Sequence, residues 1–356
     1  MTLILGIETS CDETAAAVVR GGRRVLSNVV ASQHDLHEEY GGVVPELASR
    51  AHLERLLPVV RAAMREAGAK YADLDAVAVG NRPGLIGALL VGVAGAKALA
   101  WSLGRPIIGV DHLEAHLYAP LLSTSDERSP DIDWPALGLV VSGGHTSLYR
   151  CDGPLELTRL GGTIDDAVGE AFDKVAAILG LGHPGGPRVD ALAQAGDDRA
   201  HDFPVSRLGK ESLDFSFSGL KTAVLYAARG RPERPTPTEE PRFPRDGADL
   251  PEQAKADLCA SFQRAAVRNV LLRLERVAEQ QPGAFRTLLV GGGVSANSRL
   301  RRELADFAAK RGLALRIPQM AFCLDNAAMI AGLAHERLTT GAVDDMTLAA
   351  SPTTSR

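Results

Sequence analysis

Gly6-Ile7-Glu8-Thr9-Ser10-Cys11-Asp12-Glu13-Thr14 ends a short apolar run, residues 3–7, and opens a second, residues 15–19, which stops at Gly21-Gly22. Two apolar runs around a polar turn predict a strand, a turn and a returning strand. The arrangement recurs over residues 137–150, where Ser142-Gly143-Gly144-His145-Thr146 is the turn. Gly6, Ser10 and Thr14 match Gly138, Ser142 and Thr146 at identical spacing. A second pair follows in the same order. Residues 76–79 lead into Gly80-Asn81-Arg82-Pro83-Gly84 and a helical stretch to Trp101. Residues 288–290 lead into Gly291-Gly292-Gly293-Val294-Ser295-Ala296-Asn297 and a helix through Arg311. Both read as strand, glycine turn, helix. The pattern predicts two duplicated α/β lobes, with their strand-turn units facing each other across a central cleft.

The bulk properties narrow the function. The 356 residues suit roughly two domains of about 150 residues each. Hydrophobic residues at 45% exclude a disordered chain, and aromatics at 4% exclude a platform of stacked rings for single-stranded nucleic acid. A net charge of −5 means that nucleic acid must be met by a local basic patch or through a partner. Cys11, Cys151, Cys259 and Cys323 are scattered without a C-x-x-C pair, which fits a reducing compartment. The N-terminus lacks a basic leader. The longest apolar stretch, 83–96, is too short to cross a bilayer. The expectation is a soluble cytoplasmic protein with no membrane contact.

Helices are expected over 45–67, 84–103, 164–179, 257–280, 298–311 and 325–338. The lobes are read as 1–122 and 136–324, joined by a polar, proline-containing connection, with 325–338 as a closing helix. Residues 230–251 are rich in proline and charge and read as a mobile surface insertion without a regular element. The tail, 339–356, is small and polar and is expected to fray.

The chemistry-bearing residues begin with Asp111-His112-Leu113-Glu114-Ala115-His116. His112 and His116 leave one helix face and can meet one ion; the alternative is two ordinary surface histidines. Glu114 points away, so this is not H-E-x-x-H, and a third ligand must come from elsewhere. An aspartate would complete a two-histidine, one-carboxylate set suited to non-haem iron or zinc. The turns Ser142–Thr146 and Gly291–Gly293 expose backbone N–H groups that can wrap a phosphate, although neither is a P-loop or a Rossmann fingerprint. The helix after Asn297 would add its positive end. Asp173 and Asp190 are candidate acceptors for ribose hydroxyls, and Lys221 for phosphate. Glu8, Asp12 and Glu13 crowd one turn and can organise a water, a metal or a proton transfer. Arg299, Arg301, Arg302, Lys310, Arg311 and Arg316 form a candidate RNA-facing patch.

As an ordered set these segments resemble the tRNA N6-adenosine threonylcarbamoyltransferases (TsaD in bacteria). The match runs from Gly6–Thr14 through Asp325-Asn326-Ala327-Ala328-Met329-Ile330-Ala331, nearly the whole chain. The resemblance implies the two-lobed actin/Hsp70/sugar-kinase-like fold. It implies one divalent metal ion, iron(II) first and zinc as the alternative, on His112, His116 and Asp325. It places Val141, Ser142, Gly143, Gly144, His145, Asp173, Gly186, Asp190 and Asn297 on the nucleotide intermediate, threonylcarbamoyl-AMP. It implies an acyltransferase that modifies adenosine 37 of tRNAs reading codons that begin with A and releases AMP. The implied partners are a TsaB-like paralogue and a TsaE-like ATPase. The 230–251 insertion departs from the family pattern in length and proline content. The rivals are a phosphotransferase of the same fold, a metallopeptidase, and a nucleotide-gated scaffold without catalysis.

Overall fold

Ile4, Leu5 and Ile7 are fully buried along β1 (Leu3–Glu8), on both of its faces. A strand apolar on both sides needs helices above and below it. The computed structural model, which describes residues 1–38, 40, 42–125, 131–233 and 242–354, supplies them. The first half comprises β1, β2 (Glu13–Arg20), β3 (Arg24–Ser32), α1 (His34–Glu38), α2 (Pro45–Glu66), β4 (Ala76–Arg82), α3 (Ile86–Leu103), β5 (Ile107–Asp111) and α4 (His112–Tyr118). The second comprises β6 (Ala136–Val141), β7 (Thr146–Gly153), β8 (Glu156–Gly162), α5 (Val168–Ile178), α6 (Gly185–Ala193), α7 (Ser218–Arg229), α8 (Glu252–Gln280), β9 (Thr287–Gly291), α9 (Ser298–Arg311), β10 (Ala314–Arg316) and α10 (Ala327–Thr339).

The two sheets run β3-β2-β1-β4-β5 and β8-β7-β6-β9-β10. In both, the first strand pairs antiparallel with the second and parallel with the fourth. Strand for strand this is the duplication expected from the matched turns. Three apolar layers hold it together. One lies under α2 and α3 on the outer face of the first sheet. One lies under α5, α7, α8 and α9 on the outer face of the second. The third fills the space between the sheets around α4 and α10. Each fully buried leucine or isoleucine there stabilises by about 1.5–3 kcal/mol.

The middle layer is built by exchange. Helix α4 follows the first sheet but packs on β6 and β9, whereas α10 follows the second and packs on β1, β2 and β4. Close approach requires glycine. A Cβ on Gly6 would lie 2.3 Å from the Ala327 carbonyl oxygen, and one on Gly291 would lie 2.1 Å from that of His116.

Several expectations are corrected. Helix α5 begins at Val168 rather than 164, because Thr163 Oγ1 donates to the Asp166 carbonyl and folds residues 163–166 into a turn. The tail, as far as Thr354, does not fray. Asp344 N donates to Ile107 O, Gly109 N donates to the Asp344 carboxylate, and Ser351 N donates to Asn81 O, pinning the tail along β5 and β4. Within 230–251, residues 234–241 lie outside the described residues. Gly247–Asp249 nonetheless forms a 3-10 turn in which Gly247 is buried and Leu250 packs on the second core. Helix α3 is long and apolar enough, by length and composition, to cross a membrane, so the length argument fails. It lies instead against α2 and β4, with Ala88, Leu89, Gly92, Val93, Ala96 and Ala100 buried.

Candidate active site

Asp111 ends β5 and caps α4, its Oδ1 accepting from the N–H groups of Leu113 and Glu114. This cap fixes where the helix starts, and so aims His112 and His116. Their rings stand 4.6 Å apart between centroids, nearly perpendicular. Asp325, just before α10, brings one carboxylate oxygen to 3.4 Å from His112 Nε2 and 3.1 Å from His116 Nε2. Two imidazole nitrogens sharing one carboxylate oxygen need a proton or a cation among them. Three donors each about 2.0–2.2 Å from a tetrahedral ion lie about 3.4 Å apart, which these separations approach. His112, His116 and Asp325 thus form a mostly buried group that can hold one metal ion.

Glu8 stands behind that group. Its Oε2 is 3.1 Å from His112 Nδ1, and its Oε1 accepts from Ser10 N. An ionised carboxylate only accepts, so Nδ1 carries a proton, and an ion would take the place of the second proton on Nε2. Gly80 makes the room, since a Cβ there would lie 2.5 Å from Glu8 Oε2. Burial opposes charge on His112, but the Asp325 and Glu8 carboxylates outweigh it and hold its pKa well above the ordinary value. Burial and the charge of His112 push His116 down instead, although its bond to Asp325 works the other way. Burial alone would raise Asp325, but the two histidines hold it well below the usual carboxylate range.

Asp12 and Glu13 part company with Glu8. They sit beside His34, 3.7 and 3.8 Å from its ring nitrogens. Burial, with the charges of Asp325 and Asp12, raises the Glu13 carboxyl well above its usual range. Asp12 also repels Asp173, whose pKa is raised mainly by burial. Asp173 Oδ1 accepts from Gly185 N at the start of α6, beside Gly186.

The turn after β6 is tied to itself. Ser142 N donates to His145 O, and His145 N donates to Ser142 Oγ. Gly143 and Gly144 are left exposed, with open space where a Cβ would go. Val141 is buried beneath them. Burial, then the charges of His112 and His116, lowers His145 to about 4, so its imidazole is neutral at physiological pH beside the metal group.

The Gly291–Gly293 turn has a different task. It follows β9, the parallel neighbour of β6, so it adjoins the Ser142 turn rather than facing it across the cleft. Gly292 has φ 93°, and a Cβ would lie 2.4 Å from Val141 O. Its glycines serve close packing. Asn297 caps α9, its Oδ1 accepting from Leu300 N. Asp190 on α6 accepts from the N–H and Oγ of Ser298, tying α6 to α9.

Two lesser expectations also change. Lys221 pairs with Asp166. Within the basic patch, Arg299 pairs with Asp198 and Glu303, Arg301 donates to Ser295 O and Pro318 O, and Arg316 donates to Asp131 O. These three are used internally, which thins the surface offered to RNA. Sequence reasoning missed Asp111, for which the signal was an aspartate directly before the apolar turn of α4. It also missed Gln263, a lone helical glutamine with no signal.

The comparisons with known proteins agree with this geometry. The family model described as tRNA N6-adenosine threonylcarbamoyltransferase (TsaD) matches residues 24–332. A protein of that name from Trichlorobacter lovleyi is 51% identical over 351 residues, covering 99% of this chain and 96% of its own. One from Sorangium cellulosum is 51% identical over 357 residues, covering 97% and 94%. Among solved structures, full-length HypF in its phosphate- and nucleotide-bound form aligns with 96% of this chain and 56% of its own, with a TM-score of 0.57 at 13% identity. The (R)-2-hydroxyglutaryl-CoA dehydratase component A of Acidaminococcus fermentans aligns with 95% and 100%, with a TM-score of 0.51 at 12% identity. These structural likenesses bear on the fold, the two-lobed actin- and sugar-kinase-like architecture. Identity near one half over nearly the full length of both chains says more: this chain belongs to the tRNA N6-adenosine threonylcarbamoyltransferase family of transferases.

Proposed function

We propose that the protein transfers the threonylcarbamoyl group from threonylcarbamoyl-AMP to N6 of adenosine 37 in tRNAs reading codons that begin with A, releasing AMP. One observation carries this reading beyond the family. The open Gly143-Gly144 turn runs into His145, which is close enough to the His112/His116/Asp325 group for the charges of all three to act on it. A place for a phosphate thus adjoins a place for a cation.

Among the described residues the N–H groups of Gly143 and Gly144 have no protein acceptor, which leaves them to bind the phosphate of the adenylate. The nucleoside falls in this reading to Asp173 and Gly186 at the start of α6 and to Asp190 and Asn297, which share the Gln263 amide. In the transfer, the N6 nitrogen bonds to the carbamoyl carbon, the bond from that carbon to the phosphate oxygen breaks, and AMP leaves with the electron pair. The amine must also lose a proton. Of Glu8, Asp12 and Glu13, the first is already taken up by His112 and Ser10, which leaves Asp12 and Glu13 to accept it. Glu8 orients His112. A metal held by His112, His116 and Asp325 would supply Lewis acidity toward a phosphate or carbonyl oxygen. Two nitrogens and one carboxylate suit iron(II), with zinc as the alternative.

The chain works with a TsaB-like paralogue and a TsaE-like ATPase in the cytoplasm, where its tRNA substrate and its four free thiols belong. A surface for the paralogue is offered by Leu53 and Leu57 on α2 and Ile86 and Leu90 on α3. These are exposed at one-turn spacing on two packed helices.

The test is mass analysis of tRNA nucleosides after incubation with the partners, metal and threonylcarbamoyl-AMP. Threonylcarbamoyladenosine is expected, and none from a tRNA carrying guanosine at the target position. Phosphate transfer to a small molecule, with no modified nucleoside under any partner combination, would establish the phosphotransferase reading instead.

A further inference from the structure

Gln263 is 3% exposed in the middle of α8, and none of the roles above needs it. Its Nε2 lies 2.7 Å from Asp190 Oδ1 and 3.3 Å from Asn297 Oδ1. Its Oε1 is buried and has no hydrogen-bond partner among the described residues. The orientation of this amide follows from chemistry. A carboxylate can only accept, and Asn297 Oδ1 already accepts from Leu300 N, so both neighbours present oxygen. Reversing the amide would set Oε1 against the Asp190 carboxylate. The side chain therefore leaves one oxygen buried and unpaired to keep its donor on these two acceptors. Unsatisfied buried polar atoms are uncommon and need a reason. An apolar residue of equal size would fill the same space without one.

The reason lies in what the donor fixes. With Asn297 Oδ1 held inward by Gln263 and Leu300, its Nδ2 is the atom left to donate outward. Asp190 Oδ1 accepts from Gln263 Nε2 and Ser298 Oγ, and Oδ2 from Ser298 N, so the carboxylate plane is set and spare lone pairs remain. Gln263, Asp190 and Ser298 together border a polar cleft of about 340 Å³ between α6, α8 and α9. A fixed carboxylate beside a fixed amide donor suits the adjacent hydroxyls of a ribose.

We propose that Gln263 is a positioning residue for the nucleotide. It orients Asp190 and Asn297 so that the site takes a ribonucleotide in preference to a deoxyribonucleotide. The inference rests on the nucleotide reading given above. The test is calorimetric binding of AMP and of 2′-deoxy-AMP to the full chain, for wild type, Gln263→Met and Gln263→Glu. Wild type is expected to bind AMP at least about tenfold more tightly than the deoxy form. In Gln263→Met, AMP should weaken about tenfold while 2′-deoxy-AMP changes little, so the preference collapses. In Gln263→Glu, AMP should weaken at pH 8 and recover toward wild type at pH 6. A protonated glutamic acid can donate to Asp190, and an ionised one repels it. That recovery is read within one folded variant, so the test survives if the methionine variant fails to fold. Variants that bind AMP within about twofold of wild type, with the ribose preference and pH profile unchanged, would reduce Gln263 to a packing residue. Wild-type protein that binds no AMP would overturn the nucleotide reading, and this proposal with it.

Discussion

The turn after β1 and the turn after β6 share a scaffold and spacing but do opposite things. At residues 8–14 the side chains turn inward. Glu8 is fully buried on His112 and Ser10, and a Cβ on Gly84 would lie 2.5 Å from Ser10 O. At residues 142–146 the side chains tie the turn to itself, and two bare glycines face open space. One half of the duplication presents side-chain chemistry to the site, and the other presents backbone. A repeated strand-turn-strand unit fixes where a turn lies, while the residues at its tip decide what it offers.

Glycine use sharpens this comparison, and the largest expected effect lies there. Gly292→Val forces a side chain into a backbone contact at positive φ, and should cost about 4 kcal/mol or more, leaving little folded protein. A soluble Gly292→Val protein with a wild-type melting curve would show that this turn is not held by packing. Replacing a candidate metal ligand comes next. His116→Ala should drop bound metal from one per chain toward zero and reduce transfer by roughly 10³-fold or more, with far-UV circular dichroism unchanged. Full metal occupancy in that variant would sink the ligand assignment.

Glu8→Gln tests the inward-facing turn more gently. It keeps the volume but lets His112 take the wrong tautomer, so metal affinity should fall about 10–100-fold in a folded protein. Unchanged affinity would mean that Glu8 does not orient the ring. Gly144→Val tests the outward-facing turn. Its φ is not positive and none of the described residues lies within 4 Å of the added Cβ, so stability should hold within about 1 kcal/mol. Binding of threonylcarbamoyl-AMP should nonetheless weaken about tenfold or more. Equal binding would remove the phosphate from this turn.

The smallest effect is a pH dependence at Glu114. Burial, then the charge of Asp111, raises its carboxyl to about 7, against an ordinary 4.5. A raised carboxyl favours the neutral form in the folded state. Its contribution is therefore present below pH 4.5 and is lost as pH rises through 7. Glu114→Gln should stabilise the protein at pH 8 by about 1–2 kcal/mol, after allowing for partial exposure, and should gain much less at pH 5. Denaturant unfolding at both pH values checks this, and an equal gain at both would refute the burial effect.

Much of the first link, from sequence to elements, was legible. Strong periodicity placed α2, α8 and α9, and glycine and polar punctuation placed β1, β2, β6 and β9. The edge strands β3, β5, β8 and β10 were missed, since short or mixed edge strands carry little period-two signal. The tail was misjudged because its order comes from bonds to β5 and β4 and not from its own composition.

By itself the sequence determined the duplication, the pairing of His112 with His116 on one helical face, and the position of each glycine turn. All of these follow from spacing along a few residues, which local geometry translates directly. Asp325 came only with the family resemblance, because its partner His116 is 209 residues away. Tertiary structure alone decided which glycines serve packing and which leave open space, that Glu8 faces His112 while Glu13 stands beside His34, and that Gln263 reaches Asp190 and Asn297. The physical reason is the exchange of α4 and α10 between the sheets. It brings together side chains whose separation in sequence carries no periodic signal, and only packing chooses the atoms that meet.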